Sequence, residues 1–282
     1  MGLISYYHSS NLDLKVAHCR ATDCAAATPA TPVASAGDVG YYTSITIGAD
    51  GLGLISYYDN TNGDLKVAQC SDTSCSAATL ATLDSAENVG WYTSITTGAD
   101  GMGLISYYDL TNSYLKVAHC SNSACSAATL ATQDSAGNVG WFTSITTGDD
   151  GLGLISYYDD TNSALKVAHC SNSACSAATL VTLDSAENVG YFTSITIGAD
   201  GLGLISYYDA TNHDLKVAHC NDITCSSAFH TTLDSAGSVG EYTSIMIGAD
   251  GLGLISYYDS TNTGLKVAHL SNTLGTPWTR RR

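Results

Sequence analysis

An all-β fold made of six copies of one four-stranded module is what the sequence predicts, and three observations predict it. The segment Gly-Leu-Ile-Ser-Tyr-Tyr occurs six times, starting at Gly2, Gly53, Gly103, Gly153, Gly203 and Gly253. Leu-Lys-Val-Ala follows each copy, around Lys15, Lys66, Lys116, Lys166, Lys216 and Lys266, with a period of 50 residues and one shift near Pro32. Within each copy, short β-branched and aromatic runs are separated by turn residues, and no window keeps a helical period. Self-similarity of this length marks one supersecondary unit repeated, read as one domain over residues 1–282.

The second copy shows the elements in order. Tyr42 to Ile47 is β-branched and aromatic, a first strand. Ala49-Asp50-Gly51 follows, and Asp-Gly favours a tight hairpin because both turn positions want positive φ. Leu54 to Tyr58 is a second strand, and Asp59 to Gly63 is a cluster of turn formers. Leu65 to Cys70 is a third strand. After a Cys-to-Cys span, a fourth runs around Ala78 to Leu83.

Four-stranded meanders stack linearly or close into a ring. A linear stack needs polar caps at its ends, and neither end here has one. A ring of four to eight blades removes that need, so a six-bladed β-propeller is expected. The pattern Ser-Tyr-Tyr-Asp-x-Thr-Asn-x-x-Leu-Lys-Val-Ala resembles repeats of bacterial extracellular propellers of the sialidase-like kind, over nearly the whole chain. The resemblance implies architecture. The family's Asp-box, Ser-x-Asp-x-Gly-x-x-Trp, is absent, and so is its arginine cluster: the arginines are Arg20 and the terminal Arg280, Arg281 and Arg282. First strands number five against six of the others, so blade 1 lacks its own innermost strand. A three-stranded blade, a strand lent by a neighbouring molecule and a chain cut from a longer array all account for this, the last being preferred.

Ten cysteines form five Cys-x4-Cys pairs: Cys19/Cys24, Cys70/Cys75, Cys120/Cys125, Cys170/Cys175 and Cys220/Cys225. Each pair spans the connection from third to fourth strand, and facing positions of antiparallel strands lie close enough for a disulfide. The competing reading is a His-Cys metal site, because His119-Cys120 also recurs. In the sixth copy Leu270 and Gly275 replace both cysteines while His269 stays; in the second, Gln69 replaces the histidine while both cysteines stay. Loss as a pair favours disulfides. Disulfides imply an oxidising compartment, hence an extracellular or cell-surface protein, although no signal peptide precedes Met1.

Composition excludes several functions. Acidic residues number 26 against 10 basic, a net charge of −16, which repels phosphate backbones and argues against nucleic-acid binding. No apolar run reaches membrane-spanning length. The chain has no Gly-x-Ser-x-Gly, His-Glu-x-x-His or phosphate-binding loop. Six near-equal blades offer no unique spot for a nucleophile and an acid, so no catalytic residue and no enzyme is expected.

Three residue sets remain. Aspartates in the Asp-x-Thr-Asn turns (Asp59, Asp109, Asp159, Asp209 and Asp259, with His8 in the first copy) read as Asx turns or as calcium ligands, calcium being the only cofactor considered. The repeated lysine reads as one half of an ion pair within or between blades, and Tyr57-Tyr58 as core between blades. Two large residues follow each Val-Gly: Tyr41-Tyr42, Trp91-Tyr92, Trp141-Phe142, Tyr191-Phe192 and Glu241-Tyr242. They form either inter-blade packing or a sugar-stacking surface. The first positions, Tyr41, Trp91, Trp141, Tyr191 and Glu241, vary and are expected to face ligand. The function expected is therefore a non-enzymatic extracellular binding or adhesion propeller that contacts a glycan or a protein surface. The alternatives are a structural subunit that self-associates through its incomplete first blade, and a degenerate glycosidase-like enzyme. The basic tail Thr279–Arg282 reads as a frayed end, a processing scar or a docking arm.

Overall fold

The computed structural model describes residues 2–21, 24–28 and 31–272; Gly275 and the tail Thr279–Arg282 lie outside them. Every regular element there is a strand, and no helix is long and apolar enough to cross a membrane. Six antiparallel sheets, each a meander in sequence order, form a six-bladed β-propeller. Blade 1 has three strands, Leu3–His8, Asp13–His18 and Thr31–Ala34. Blade 2 has four, Val39–Ile47, Gly53–Asp59, Asp64–Cys70 and Ala78–Asp84, and this plan recurs over residues 89–134, 139–184 and 189–234. Blade 6 shows Val239–Ile247, Gly253–Asp259 and Gly264–His269. First strands of successive blades neighbour one another and surround the central well.

The core lies between blades, not within them. A blade contributes the leucines and valine of one face, such as Leu54, Leu65 and Val67. The next contributes Val89, Ile95, Ile105, Tyr107 and Ala118 from its opposite face. Alternation of side chains along each strand is what allows both faces to be apolar. Among the described residues five such clusters join the six blades, and none joins blade 6 to blade 1. The propeller therefore has a seam.

Polar bonds reinforce the packing. The Lys116 ammonium lies 2.5 Å from Asp84 Oδ2 on the fourth strand of the preceding blade, and the Tyr107 hydroxyl donates to the same oxygen at 2.7 Å. Lys166, Lys216 and Lys266 meet Asp134, Asp184 and Asp234 in the same way. The lysine thus makes an inter-blade pair in blades 3 to 6; in blade 2 Ala34 stands in for the aspartate and Lys66 turns to its own Asp59 at 3.1 Å. Burial alone would raise Asp84 and Asp134, but hydrogen bonds from lysine and tyrosine outweigh it and hold both below the ordinary carboxylate range.

All ten cysteines are joined in the five expected pairs, Cys19–Cys24, Cys70–Cys75, Cys120–Cys125, Cys170–Cys175 and Cys220–Cys225, with Cα atoms 4.7–4.8 Å apart. Their setting corrects the expectation of two facing strand positions. Cys70, Cys120, Cys170 and Cys220 end the third strands, and Cys19 makes an isolated bridge to Ala27. The second members, Cys24, Cys75, Cys125, Cys175 and Cys225, lie in the turn before the fourth strand, outside any strand. The ladder explains why: Cys70 pairs with Ala78 and Cys120 with Ala128, so the strand partner is already taken. Each second cysteine instead takes φ of 47–56°. Its amide closes a tight turn onto the carbonyl three residues back, Cys75 to Asp72 at 3.0 Å and Cys125 to Asn122 at 2.9 Å. This reversal brings the thiols together within four intervening residues. Cys24 bonds to Ala21 and Cys225 to Asp222 in the same way.

The repeated histidine has a different partner. His119 Nε2 lies 2.8 Å from Asp100 Oδ2 in the first hairpin turn, and Gln69 donates to Asp50 at 2.7 Å in the copy without histidine. An amide replaces the imidazole because the position requires only a side-chain nitrogen donor.

Candidate functional site

The first strand of each blade begins with Gly followed by the two large residues. At Gly90 φ is +103°, and a Cβ there would come within 2.8 Å of the Leu65 Cα, so only glycine lets the strand approach the preceding blade this closely. The pairing register then shifts on either side of Trp91, a bulge that breaks the in-out alternation. Tyr92 takes φ +52°, and Tyr42, Phe142, Phe192 and Tyr242 take 51–54°. Bulky residues avoid this region, so a strained conformation repeated five times points to a constraint shared by all five positions.

The bulge turns the second residue of each pair to the centre. Tyr42, Tyr92, Phe142, Phe192 and Tyr242 form an arc around a well of about 400 Å³, with successive ring centroids 4.6, 4.6, 4.6 and 4.3 Å apart. At this spacing nothing fits between rings, so the arc acts as one continuous apolar lining. Thr43, Thr93, Thr143, Thr193 and Thr243 share the well. Their hydroxyls donate to serines of the preceding blade (Thr93 to Ser56 at 2.9 Å), leaving oxygen lone pairs as acceptors. Burial raises the Tyr42 and Tyr92 phenols, so both remain neutral hydroxyls across physiological pH.

The first residues of the pairs sit elsewhere. Trp91 Nε1 donates to Asn88 Oδ1 at 3.0 Å, and the Tyr58 hydroxyl of the preceding blade donates to the same oxygen at 2.8 Å. Trp141, Asn138 and Tyr108 repeat this arrangement, and Tyr191 packs on Tyr158 at 4.2 Å. Tyr41, Trp91, Trp141 and Tyr191 are therefore half-buried between blades, while the second positions line the well. One signal for this was in the sequence: the second position is aromatic in all five copies, whereas the first admits Glu241.

Apart from Glu87 and Glu187, which replace a loop glycine, two carboxylates break the repeat here, one in the loop before a first strand and one within a first strand. Asp38 stands where other blades have Asn88, Asn138, Asn188 and Ser238, and it accepts from Tyr7 at 2.8 Å and Asn60 at 2.8 Å. Glu241 stands where they have tyrosine or tryptophan. They mark the two ends of the arc, in blades 2 and 6.

Asp59, Asp109, Asp159, Asp209 and Asp259 end the second strands at the start of the turn, each almost fully buried. Asp59 Oδ1 accepts the backbone amides of Thr61 and Asn62, and Oδ2 accepts Asn62 Nδ2 and Lys66 Nζ. The turn itself uses these oxygens. Among the described residues no group of three or more His, Cys, Asp or Glu side chains is placed to hold a metal. A second cavity, also about 400 Å³, lies between blades 1 and 2, lined by Leu3, His18, Ile47, Gly51 and Thr73. It brings one titratable side chain, His18, and no aromatic surface.

No protein-family model matches the sequence, and comparison with curated proteins gives no match. Solved structures do match in fold. An α-L-arabinofuranosidase from Lactobacillus brevis superposes with a TM-score of 0.51 at 11% identity, over 83% of this chain and 92% of that one. A GH43 β-1,3-galactosidase with galactodeoxynojirimycin gives 0.52 at 9%, over 86% and 94%. The dihydro-heme d1 dehydrogenase NirN gives 0.56 at 12%, over 97% of this chain and 57% of that one. At such identities the likeness is one of fold. It nonetheless corrects the expectation of a non-enzymatic binding or adhesion propeller, because this ring of blades is one that glycosidases use. The blades are also not equal in sequence, since Asp38 and Glu241 depart from their counterparts in the other blades. The propeller part of the sialidase-like resemblance stands, and its finer detail gains no support.

Proposed function

We propose that the protein is a secreted, glycosidase-like propeller that processes neutral glycans held against the aromatic arc. The arc of five rings carries the reading. A continuous apolar lining ringed by hydroxyl acceptors suits the flat face of a pyranose or furanose, whose CH groups stack while its hydroxyls are bound. The net charge of −16 disfavours uronic or sialic acids. Two of the fold neighbours are an α-L-arabinofuranosidase and a β-1,3-galactosidase, which makes arabinofuranosides and β-1,3-galactosides the first substrates to test. Five disulfides agree with an oxidising compartment. Asp38 and Glu241 are the candidate acid-base groups, since glycoside hydrolysis uses a pair of carboxylates.

The test combines reducing-sugar release from arabinan and β-1,3-galactan with binding isotherms for the corresponding oligosaccharides. The expected result is measurable release, lost in Glu241→Gln and Asp38→Asn, together with binding weakened about tenfold or more in Phe142→Ala, which removes one stacking platform of about 1.4 kcal/mol. Absence of both binding and release across arabino- and galacto-oligosaccharides overturns the reading.

A further inference from the structure

The seam between blades 6 and 1 carries a specific unfilled requirement. In blades 3 to 6 a tyrosine and a lysine at facing positions converge on one acceptor, the fourth-strand aspartate of the preceding blade: Tyr157 at 2.7 Å and Lys166 at 2.5 Å from Asp134 Oδ2, for example. Blade 1 has the same facing pair, Tyr6 and Lys15. No carboxylate among the described residues pairs with Lys15. Its own turn carries His8 in place of the aspartate, and His8 Nδ1 is buried with no hydrogen-bond partner among the described residues.

The apolar surfaces beside this pair are bare as well. Ile4 is 49% exposed, whereas Ile55, Ile105, Ile155, Ile205 and Ile255 at the equivalent position are 0% exposed. On blade 6, Leu265 is 78% and Val267 58% exposed, against 0–2% for their equivalents in blades 1 to 5. Ser244, Met246, Leu254, Ser256 and Val267 line a groove of about 120 Å³ on this face. Blade 6 thus shows the leucine-valine half of an inter-blade interface, and blade 1 shows the isoleucine-tyrosine-alanine half.

We propose that the seam is a docking site for a further sheet of this same repeat, whose fourth-strand aspartate takes the Tyr6 hydroxyl and the Lys15 ammonium. Continuity with five existing interfaces and charge complementarity identify the occupant. A second copy of this chain does not fit the requirement. Its fourth-strand aspartates Asp84, Asp134, Asp184 and Asp234 are all held by lysines of its own blades.

The experiment compares the chain with a variant carrying an extra copy of residues 189–251 fused in repeat register ahead of Met1. Lysine reactivity toward an acylating reagent is read by peptide mass spectrometry, with hydrogen exchange and light scattering alongside. In the unextended chain Lys15 is expected to react faster than Lys116 and Lys166. In the extended chain its rate falls tenfold or more, amides around Ile4 become protected, and the protein stays monomeric. Replacing the added aspartate (the copy of Asp234) by alanine restores Lys15 reactivity while the cooperative melt persists. Equal Lys15 reactivity with and without the extra sheet overturns the proposal. Self-association of the unextended chain that protects Lys15 overturns it in favour of a second copy.

Discussion

Blades 4 and 6 are nearly the same sequence in two environments. Leu165 and Val167 are 0% exposed, whereas Leu265 and Val267 are 78% and 58% exposed. The Lys166 side chain is 10% exposed and that of Lys266 36%, although each lies 2.5 Å from its aspartate. Strand pairing is retained in both blades, with Tyr157 opposite Lys166 and Tyr257 opposite Lys266. A blade therefore forms its own ladder, while its neighbours provide the burial. In repeat architectures of this kind stability resides largely in nearest-neighbour interfaces, and an end module holds only half of what an internal one holds.

The sharpest way to break this comparison is truncation of the same leucine in the two places. Leu165→Ala is expected to cost about 2–5 kcal/mol by leaving a cavity in a closed interface. Leu265→Ala is expected to stay within about 0.5 kcal/mol, as at an ordinary surface site. Urea unfolding of both variants checks this, and equal midpoints would show that the seam is covered in solution.

A second pair of variants concerns the ion pairs. Asp134→Asn removes the nearer counter-charge of the nearly buried Lys166 ammonium, leaving Asp159 Oδ2 at 3.5 Å, and is expected to cost up to about 3 kcal/mol at pH 7. Asp234→Asn is expected to cost less, because water reaches Lys266. The folded-state carboxyls of both aspartates lie below their ordinary value. Their contribution is therefore complete above the unfolded value of about 3.9 and disappears as pH falls through the depressed folded value. Wild type and both variants are expected to draw together in denaturant midpoint as pH falls from about 5 through the depressed folded values, and a gap that does not narrow on acidification would refute the assignment.

A third comparison concerns a disulfide. Converting Cys170 and Cys175 together to alanine removes closure of a short loop, about 2 kcal/mol in the chain-entropy model. Blade 6 already does without its pair: Leu270, 2% exposed, fills the space near Gly253 that Cys220 Sγ fills near Gly203. Cys170→Leu combined with Cys175→Gly should accordingly lose less than the double alanine, as measured by thermal melts under non-reducing conditions.

Much of this molecule was legible from residue order. The period gave the blades, the turn residues gave the strand ends, and the joint loss of Cys at Leu270 and Gly275 gave the disulfides. The backbone of the second cysteines was not readable, because spacing alone does not separate a strand partner of Cys70 from a turn residue such as Cys75. The lysine's need for a carboxylate was also evident. Its choice of the neighbouring blade was not, because Asp84 and Lys116 are distant in sequence and meet only after the sheets stack. The aromatic well was missed for a local reason. Alternation cannot say which of Trp91 and Tyr92 faces inward when a bulge and a positive φ intervene. The seam was missed because identical residues carry no mark of whether a neighbour is present.

The glycines that open each first strand have a wider consequence. Because a methyl group at Gly90 would collide with the Leu65 backbone, the angle between consecutive sheets is set there by a missing carbon. The same holds at Gly40, Gly140, Gly190 and Gly240. Curvature is thus written into each module instead of being imposed by closure, so an incomplete circle keeps its radius. Gly90→Ala would force the sheets apart at the hub and loosen the pitch of the whole array, altering how many modules a full turn accommodates without touching a single outer strand.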